Sequence, residues 1–381
     1  MEDLVKNTLR SDDDFDLIVI GGGPAGTSAA VTAGRAGARV LLLERGRLPR
    51  QRVCGEFVSA ESLQLLRTLL GTTTPELLPR ALRISEARLI VDGHAISVPV
   101  APAAASVARW ELDEALWRAA ERAGVDARQN AVAAQVSGQG PFVVSTSARE
   151  FHARALVNAA GRWSNLGRKA GSVNGNEHRW LGIKAHFREE APPASTDLYF
   201  FDGGYCGVQP VRLVGLDAEG DAAGRINVCA MVRAAVARTL PEVLRLHTEL
   251  AARAKTWRPL KEPLSTSPLI FRTPQPLQNG MVMAGDAAGF VDPFVGDGIS
   301  LALRSGAMAA ECLDSFFQGK ATLDEARAEY ARVYESRCLP VFRNSSKIRR
   351  LLRLPQPLRS RLAQFLEKTP AVTRYLVSAT R

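Results

Sequence analysis

The sequence predicts an α/β protein in which a Rossmann-type lobe is interleaved with a second, β-sheet lobe (α+β) and followed by a helical C-terminus. Three observations predict this. Residues 15–45 read as strand, glycine turn, helix and strand; residues 180–232 alternate like successive strands; and the chain after Ile299 is dominated by helical periodicity. At 381 residues and 46% hydrophobic content the chain is long enough to bury the core of two lobes.

The first strand, Leu17-Ile18-Val19-Ile20, is continuously apolar and β-branched, as a fully buried parallel strand requires. It runs into Gly21-Gly22-Gly23-Pro24-Ala25-Gly26, which contains G-x-G-x-x-G at Gly21, Gly23 and Gly26. Small residues over 27–36 suit a helix lying close to a sheet, and Val40-Leu41-Leu42-Leu43 then ends in Glu44. The glycines allow a tight turn, backbone approach to a pyrophosphate and close helix–strand packing. The helix start offers free N–H groups and a positive dipole end to phosphate. Glu44, about 20 residues on, is placed to accept hydrogen bonds from a ribose. Strand, turn, helix and acid all agree, and the motif reads as a dinucleotide site.

The charge balance of +10 rests mostly on scattered arginines rather than a stripe, and no nucleic-acid module is present. Five cysteines (Cys54, Cys206, Cys229, Cys312, Cys338) without C-x-x-C read as reduced thiols of a cytoplasmic protein. The five histidines have no metal-ligand spacing, so no metal is expected. The first residues are acidic and lack the apolar core of a secretory signal.

After Glu44 a basic, turn-rich loop holds Arg45, Arg52, Cys54 and Gly55 and opens into a helix over 60–70. Strands are expected at 83–91 and 95–100 around an Asp92-Gly93 turn, with 101–105 as a small-residue linker. Arg109 precedes a helix striped by Leu112, Leu116 and Ala119 and ended by Gly124. Strands follow at 142–145 and 153–158, the second running into Ala159-Ala160-Gly161-Arg162-Trp163-Ser164. The β-rich block comprises 180–187, 198–201, 207–214 and 225–232, with turns at 202–204 and 217–224. Helices are expected at 234–238, 241–255, 299–317, 323–336, 346–354 and 359–367. Residues 14–80, 106–177 and 273–340 then build the dinucleotide lobe, 81–105 and 178–272 the substrate lobe, and 341–381 a tail. The tail interleaves Lys347, Arg349, Arg350, Arg353, Arg359 and Arg361 with leucines. Such a helix can dock on anionic lipid, but one packed on its own domain is the expectation.

A second glycine-rich constellation follows the strand Met281-Val282-Met283. It reads Gly285-Asp286-Ala287-Ala288-Gly289, then Pro293-x-x-Gly296-Asp297-Gly298-Ile299. With the first motif, Arg109-x-x-Leu112-Asp113 and the strand ending at Gly161, it resembles the flavoprotein hydroxylase superfamily. That superfamily also holds geranylgeranyl reductases and flavin-dependent halogenases. The resemblance covers residues 15–313 and implies non-covalent FAD, with NAD(P)H as electron donor. It places Gly21, Gly23, Pro24, Ala25, Gly26, Glu44 and Arg45 at the ADP half. It places Arg52, Cys54, Gly55, Arg109 and Gly161 along the cofactor, and Gly285, Asp286 and Pro293 at the ribityl or pyrophosphate region. The amides of Gly296, Asp297, Gly298 and Ile299 then face the flavin's pyrimidine edge.

Within the superfamily, Arg52-x-Cys54-Gly55-Glu56 is similar to the Cys-Gly loop of geranylgeranyl reductases. The segment 205–210, YCGVQP, sits where those proteins carry an aromatic strand over the flavin, here without its tryptophan. No lysine lies between Lys6 and Lys169, where halogenases need one, and Ala160 stands where aromatic hydroxylases have Asp. The resemblance therefore implies a monooxygenase acting through a C4a-hydroperoxyflavin on a hydrophobic or aromatic small molecule. The alternatives are a C=C reductase, with Tyr205 or Cys54 as proton donor, and a flavin-binding protein without turnover. Oligomeric state is left open. His186, alternating on its strand, could face a substrate cavity, but packing or solvent is the expectation.

Overall fold

The computed structural model describes residues 12–72, 76–162, 166, 179–213, 224–352 and 354–369. Trp163 and Ser164, most of the turn expected at 217–224, Arg353 and residues 370–381 lie outside the described residues.

Two sheets carry the molecule. The first runs Leu277–Gln278, Met281–Met283, Glu150–Asn158, Asp14–Ile20, Val40–Leu43, Asp126–Arg128. Its central strands are parallel, with Leu17 opposite both Val40 and Ala155. Leu17, Ile18 and Val19 are wholly buried, which is why that strand is apolar at every position rather than at alternate ones. The second sheet runs Arg258–Pro259, Trp180–Arg188, Arg225–Arg233, Gly204–Pro210, Ser195–Phe201, Leu82–Val91, His94–Ser106, Phe57–Val58. Leu264–Leu269 adds to the open flank of Trp180–Arg188.

Helices Pro24–Arg35 and Gly298–Phe317 cross over the first sheet at very close range. A Cβ on Gly306 would lie 2.0 Å from the Ala25 carbonyl oxygen, and Ser28 Oγ donates to the Leu303 carbonyl at 2.7 Å. Small residues over 24–33 and 305–310 make this approach possible, and it aligns both helix N-termini on one side of the sheet.

Several expectations are corrected. Residues 101–105 are not a linker but continue the strand His94–Ser106, where Ala104 and Ala105 are completely buried. The strand expected at 207–214 is Gly204–Pro210, because a tight Asp202-Gly203 turn pairs Phe201 with Gly204. Residues 234–238 form turns; the helix begins only at the Thr239–Glu242 capping box. The helix expected over 241–255 divides into Leu240–Leu244 and Thr248–Ala254. Leu244 and Leu246 both pack on the second sheet's core, and one continuous helix would turn them to opposite sides. The tail helix expected at 346–354 starts earlier, at Leu339, with Pro340 tolerated in its first turn. It buries Val341 and Phe342 in the core of the first sheet and is followed by Gln356–Lys368, which packs over the second sheet.

Candidate active site

The C-terminal ends of the parallel strands, the two helix N-termini and the inner face of the second sheet enclose a cavity of about 880 Å³. Ligands of open α/β sheets bind at this edge. Gly23, Gly55, Gly161 and Gly298 all line the cavity, and a Cβ on any of them would meet nothing within 4 Å. Four glycines facing open space form a cradle shaped for a ligand that approaches backbone closely. Gly21 is different: its φ is +112° and a Cβ there would lie 2.4 Å from the Ala159 carbonyl oxygen. The cradle is therefore conformationally closed to other residues at Gly21 and open to a ligand at Gly23.

Glu44 ends the second strand with Oε2 accepting from Gly22 N–H at 2.8 Å. Its Oε1 accepts from Gly46 N–H at 2.9 Å and from Arg50 at 2.6 Å. Burial alone would raise this carboxyl, but the Gly46 and Gly22 amides and Arg50 hold it below its usual value. The carboxylate keeps lone pairs for a ribose hydroxyl and faces the cavity. Half-buried Arg52 also lines the cavity. Burial, then the charges of Arg50 and Arg109, push its guanidinium down to about 10. A crowded cation there would gain from an anionic pyrophosphate. Arg45 lines the same region from a more exposed position.

On the other side of the cradle, Asp286 lines the cavity with Arg162 at 3.9 Å, and burial pushes its carboxyl up. Pro293, Gly296 and Ile299 line it beside Gly298, at the start of helix Gly298–Phe317, which has no side-chain cap bond. Its first amides are thus presented to the cavity. Gly26, Gly285 and Asp297 are not in the lining. Gly26 packs on the Gly21 carbonyl, Gly285 against Ala25, and Asp297 is the buried N-cap of the helix. The glycine turn, the Glu44 carboxylate, the basic loop and the open helix starts fit what FAD needs.

The loop after Arg52 enters the cavity as Cys54 and Gly55. Arg109 forms a bidentate pair with Asp113 at 3.0 and 3.1 Å and also reaches Cys54; these partners raise the guanidinium's pKa against the effect of burial. Tyr205 lines the cavity among Phe200 and Phe294, but its hydroxyl donates to Asp292 at 3.4 Å. Burial and the Asp292 charge raise this phenol well above its ordinary value. The sequence shows Glu56 only as the end of the Cys-Gly loop motif and gives it no role. Its carboxylate is completely buried and contacts Lys184 Nζ, His186 Nε2 at 2.9 Å and the Arg109 N–H at 2.9 Å. His186 is therefore buried, packed edge-on against Trp110 and bonded to Glu56, and does not line the cavity. Its position on a strand facing Glu56 emerges only from tertiary structure.

Beyond the cradle the walls are apolar: Leu89, Val98, Leu198, Met231 and Leu269 from the second sheet, closed by Leu352 and Leu366 of the tail. The tail is thus part of the cavity wall. Arg359 fixes it through bidentate bonds to Asp92 at 2.7 Å and a bond to Asp202 at 2.8 Å. Among the described residues no helix is long and apolar enough to cross a membrane.

This fold and cradle define a two-lobed flavoprotein, with a dinucleotide site on the parallel sheet and an apolar chamber under the second. Residues 14–345 match the FAD binding domain family, and the chain belongs to it. It is 29% identical to a menaquinone reductase of Mycobacterium tuberculosis, over 81% of this chain and 78% of that one. It is 26% identical to digeranylgeranylglycerophospholipid reductase 2 of Methanopyrus kandleri, over 85% and 82%. Among solved structures, a geranylgeranyl bacteriochlorophyll reductase-like protein from Thermoplasma acidophilum shares the fold. The TM-score is 0.76 at 18% identity, covering 97% of this chain and 96% of that one. The chain is an FAD-dependent oxidoreductase of this superfamily.

Proposed function

We propose that this protein reduces a carbon–carbon double bond in a lipophilic, isoprenoid-bearing substrate, with NAD(P)H as the source of electrons. The observation that carries this reading is the apolar chamber continuous with the FAD cradle. The sequence favours oxygen transfer; reduction is supported instead by that chamber, by the Cys54–Gly55 loop at the cradle and by the reductase names of two relatives. FAD, when bound and reduced, supplies hydride to one carbon. Cys54 Sγ holds the proton for the other carbon, so the product gains two hydrogens across the bond. Leu198, Met231 and Leu269 exclude water and align the chain by apolar contact.

The test is an anaerobic incubation of the purified, FAD-loaded protein with NADPH or dithionite and a menaquinone or geranylgeranyl lipid, read by mass spectrometry. A product heavier by two hydrogens supports the reading. No change without oxygen, and an added oxygen atom in air, would overturn it in favour of a monooxygenase.

A further inference from the structure

Glu56 ends the Cys-Gly loop motif, which gives it no role, yet its completely buried carboxylate takes three polar partners from two distant segments. It has a left-handed backbone at φ 62°, uncommon for a residue with a side chain and held only where the surroundings over-determine it. Its carboxylate is 0% exposed, and its partners Lys184 and His186 are 1% and 3% exposed. Burying such charges is costly unless they are fully paired, and an apolar core would serve stability as well. What the cluster does is join three segments. The carboxylate ties the 50–56 loop to strand Trp180–Arg188 through Lys184 and His186, and to the start of helix Arg109–Arg122 through the Arg109 amide. The Glu56 carbonyl accepts from Val107 N–H at 2.9 Å.

The same arrangement fixes Cys54 at both ends. The Glu56 N–H donates to Cys54 Sγ at 3.3 Å, a direction set by the left-handed turn. Asn227, opposite His186 in the strand register, donates from Nδ2 to the Cys54 carbonyl at 3.0 Å. We infer that Glu56, clamped by Lys184 and His186, is the positioning residue that holds the Cys54–Gly55 turn in its cofactor-facing conformation. Glu56 acts through Cys54 and Gly55 and does not itself touch the reacting atoms. The inference rests on the FAD site and is independent of which substrate bond is reduced.

Removing Glu56 alone would leave Lys184 buried and unpaired and risks misfolding. The decisive protein is therefore the double variant Glu56→Gln/Lys184→Met, which removes both charges and keeps their volumes. Two substrate-free readouts apply: FAD titration of the apoprotein, and iodoacetamide alkylation followed by peptide mass at Cys54, with Cys312 as control. The expected result is a rise in the FAD dissociation constant of about tenfold or more, as when a supporting contact is lost. Cys54 alkylation should accelerate while Cys312 is unchanged. If both FAD affinity and Cys54 alkylation stay within about twofold of wild type, where roughly 0.4 kcal/mol separates the states, the inference is wrong. It is equally wrong if Cys312 accelerates in step, since the cluster would then only stabilise the fold. Failure of the lipid-reduction assay with these results intact would overturn the proposed substrate, not the clamp.

Discussion

Tyr205 and Cys54 both line the cavity, yet their hydrogens are held in different ways. The Tyr205 hydroxyl is directed at Asp292, and burial with that negative charge makes it a reluctant acid. Cys54 has its sulfur beside the Glu56 N–H and within reach of Arg109. Cys54→Ala is accordingly expected to slow product formation on the order of a hundredfold, as loss of a general acid does, with the FAD spectrum retained. Tyr205→Phe should change the same single-turnover rate by less than about threefold, less than loss of a general acid costs. Equal losses from the two variants would reverse these roles. Glu56 makes a separate prediction in pH. Burial raises its carboxyl, but Lys184 and His186 bring it down to about 2, below its ordinary value of 4.5. A carboxylate depressed by folding contributes stability above its unfolded pKa and loses it as pH falls towards the folded one. Melting temperature should therefore fall between about pH 4.5 and 2 more steeply in wild type than in Glu56→Gln/Lys184→Met. Parallel curves would refute the coupling. In the sequence, Glu56 looked like one charge in a basic loop, because its partners lie 128 and 130 residues away.

At the scale of elements, the crossing of helices Pro24–Arg35 and Gly298–Phe317 does two jobs. It closes the core over the first sheet and sets the relative position of two helix starts that line the cradle. Gly306→Val would drive side-chain atoms into the Ala25 backbone. Overpacking at such a point costs about 1–3 kcal/mol, so both melting temperature and FAD affinity should fall together. A variant that melts lower but binds FAD normally would show the two helix starts to be positioned independently. These helices were legible in the sequence because each joins a glycine turn to a run of small residues, and both signals are local. The parallel strands Asp14–Ile20, Val40–Leu43, Glu150–Asn158 and Met281–Met283 were legible for the same reason, each carrying a short apolar run. The parallel edge strand Asp126–Arg128 has no such run and was not legible. Phe57–Val58, Gln135–Gly138 and Leu264–Leu269 were not, since their partners are fixed by the chain's path and not by their own pattern. The split at 245–247 escaped because helical periodicity persists across it and only the sheet's shape breaks it.

For the whole molecule, the tail decides what the chamber is. Without helices Leu339–Leu351 and Gln356–Lys368, the apolar face of the second sheet would meet water; with them it becomes an enclosed wall. The basic residues that gave the tail a lipid-binding look are partly spent inside. Arg359 grips Asp92 and Asp202 from the two turns at that edge, and Arg349 lies over the Phe271 ring at 3.9 Å. Leu358 and Phe365 stay exposed on the outer side of the last helix, while Leu362 and Leu366 face the chamber. Arg359 therefore controls the closure of the chamber but touches nothing in the FAD cradle. Arg359→Ala should cost about 1–3 kcal/mol, in the range of a broken ion-pair network. It should raise binding of an apolar fluorescent dye and raise KM for a long substrate, with the FAD dissociation constant unchanged. Dye binding and KM that stay at wild-type values would mean the tail keeps its seat by apolar contact alone. A matching loss of FAD would mean the two lobes are coupled through the tail, which the separate positions of clasp and cradle argue against.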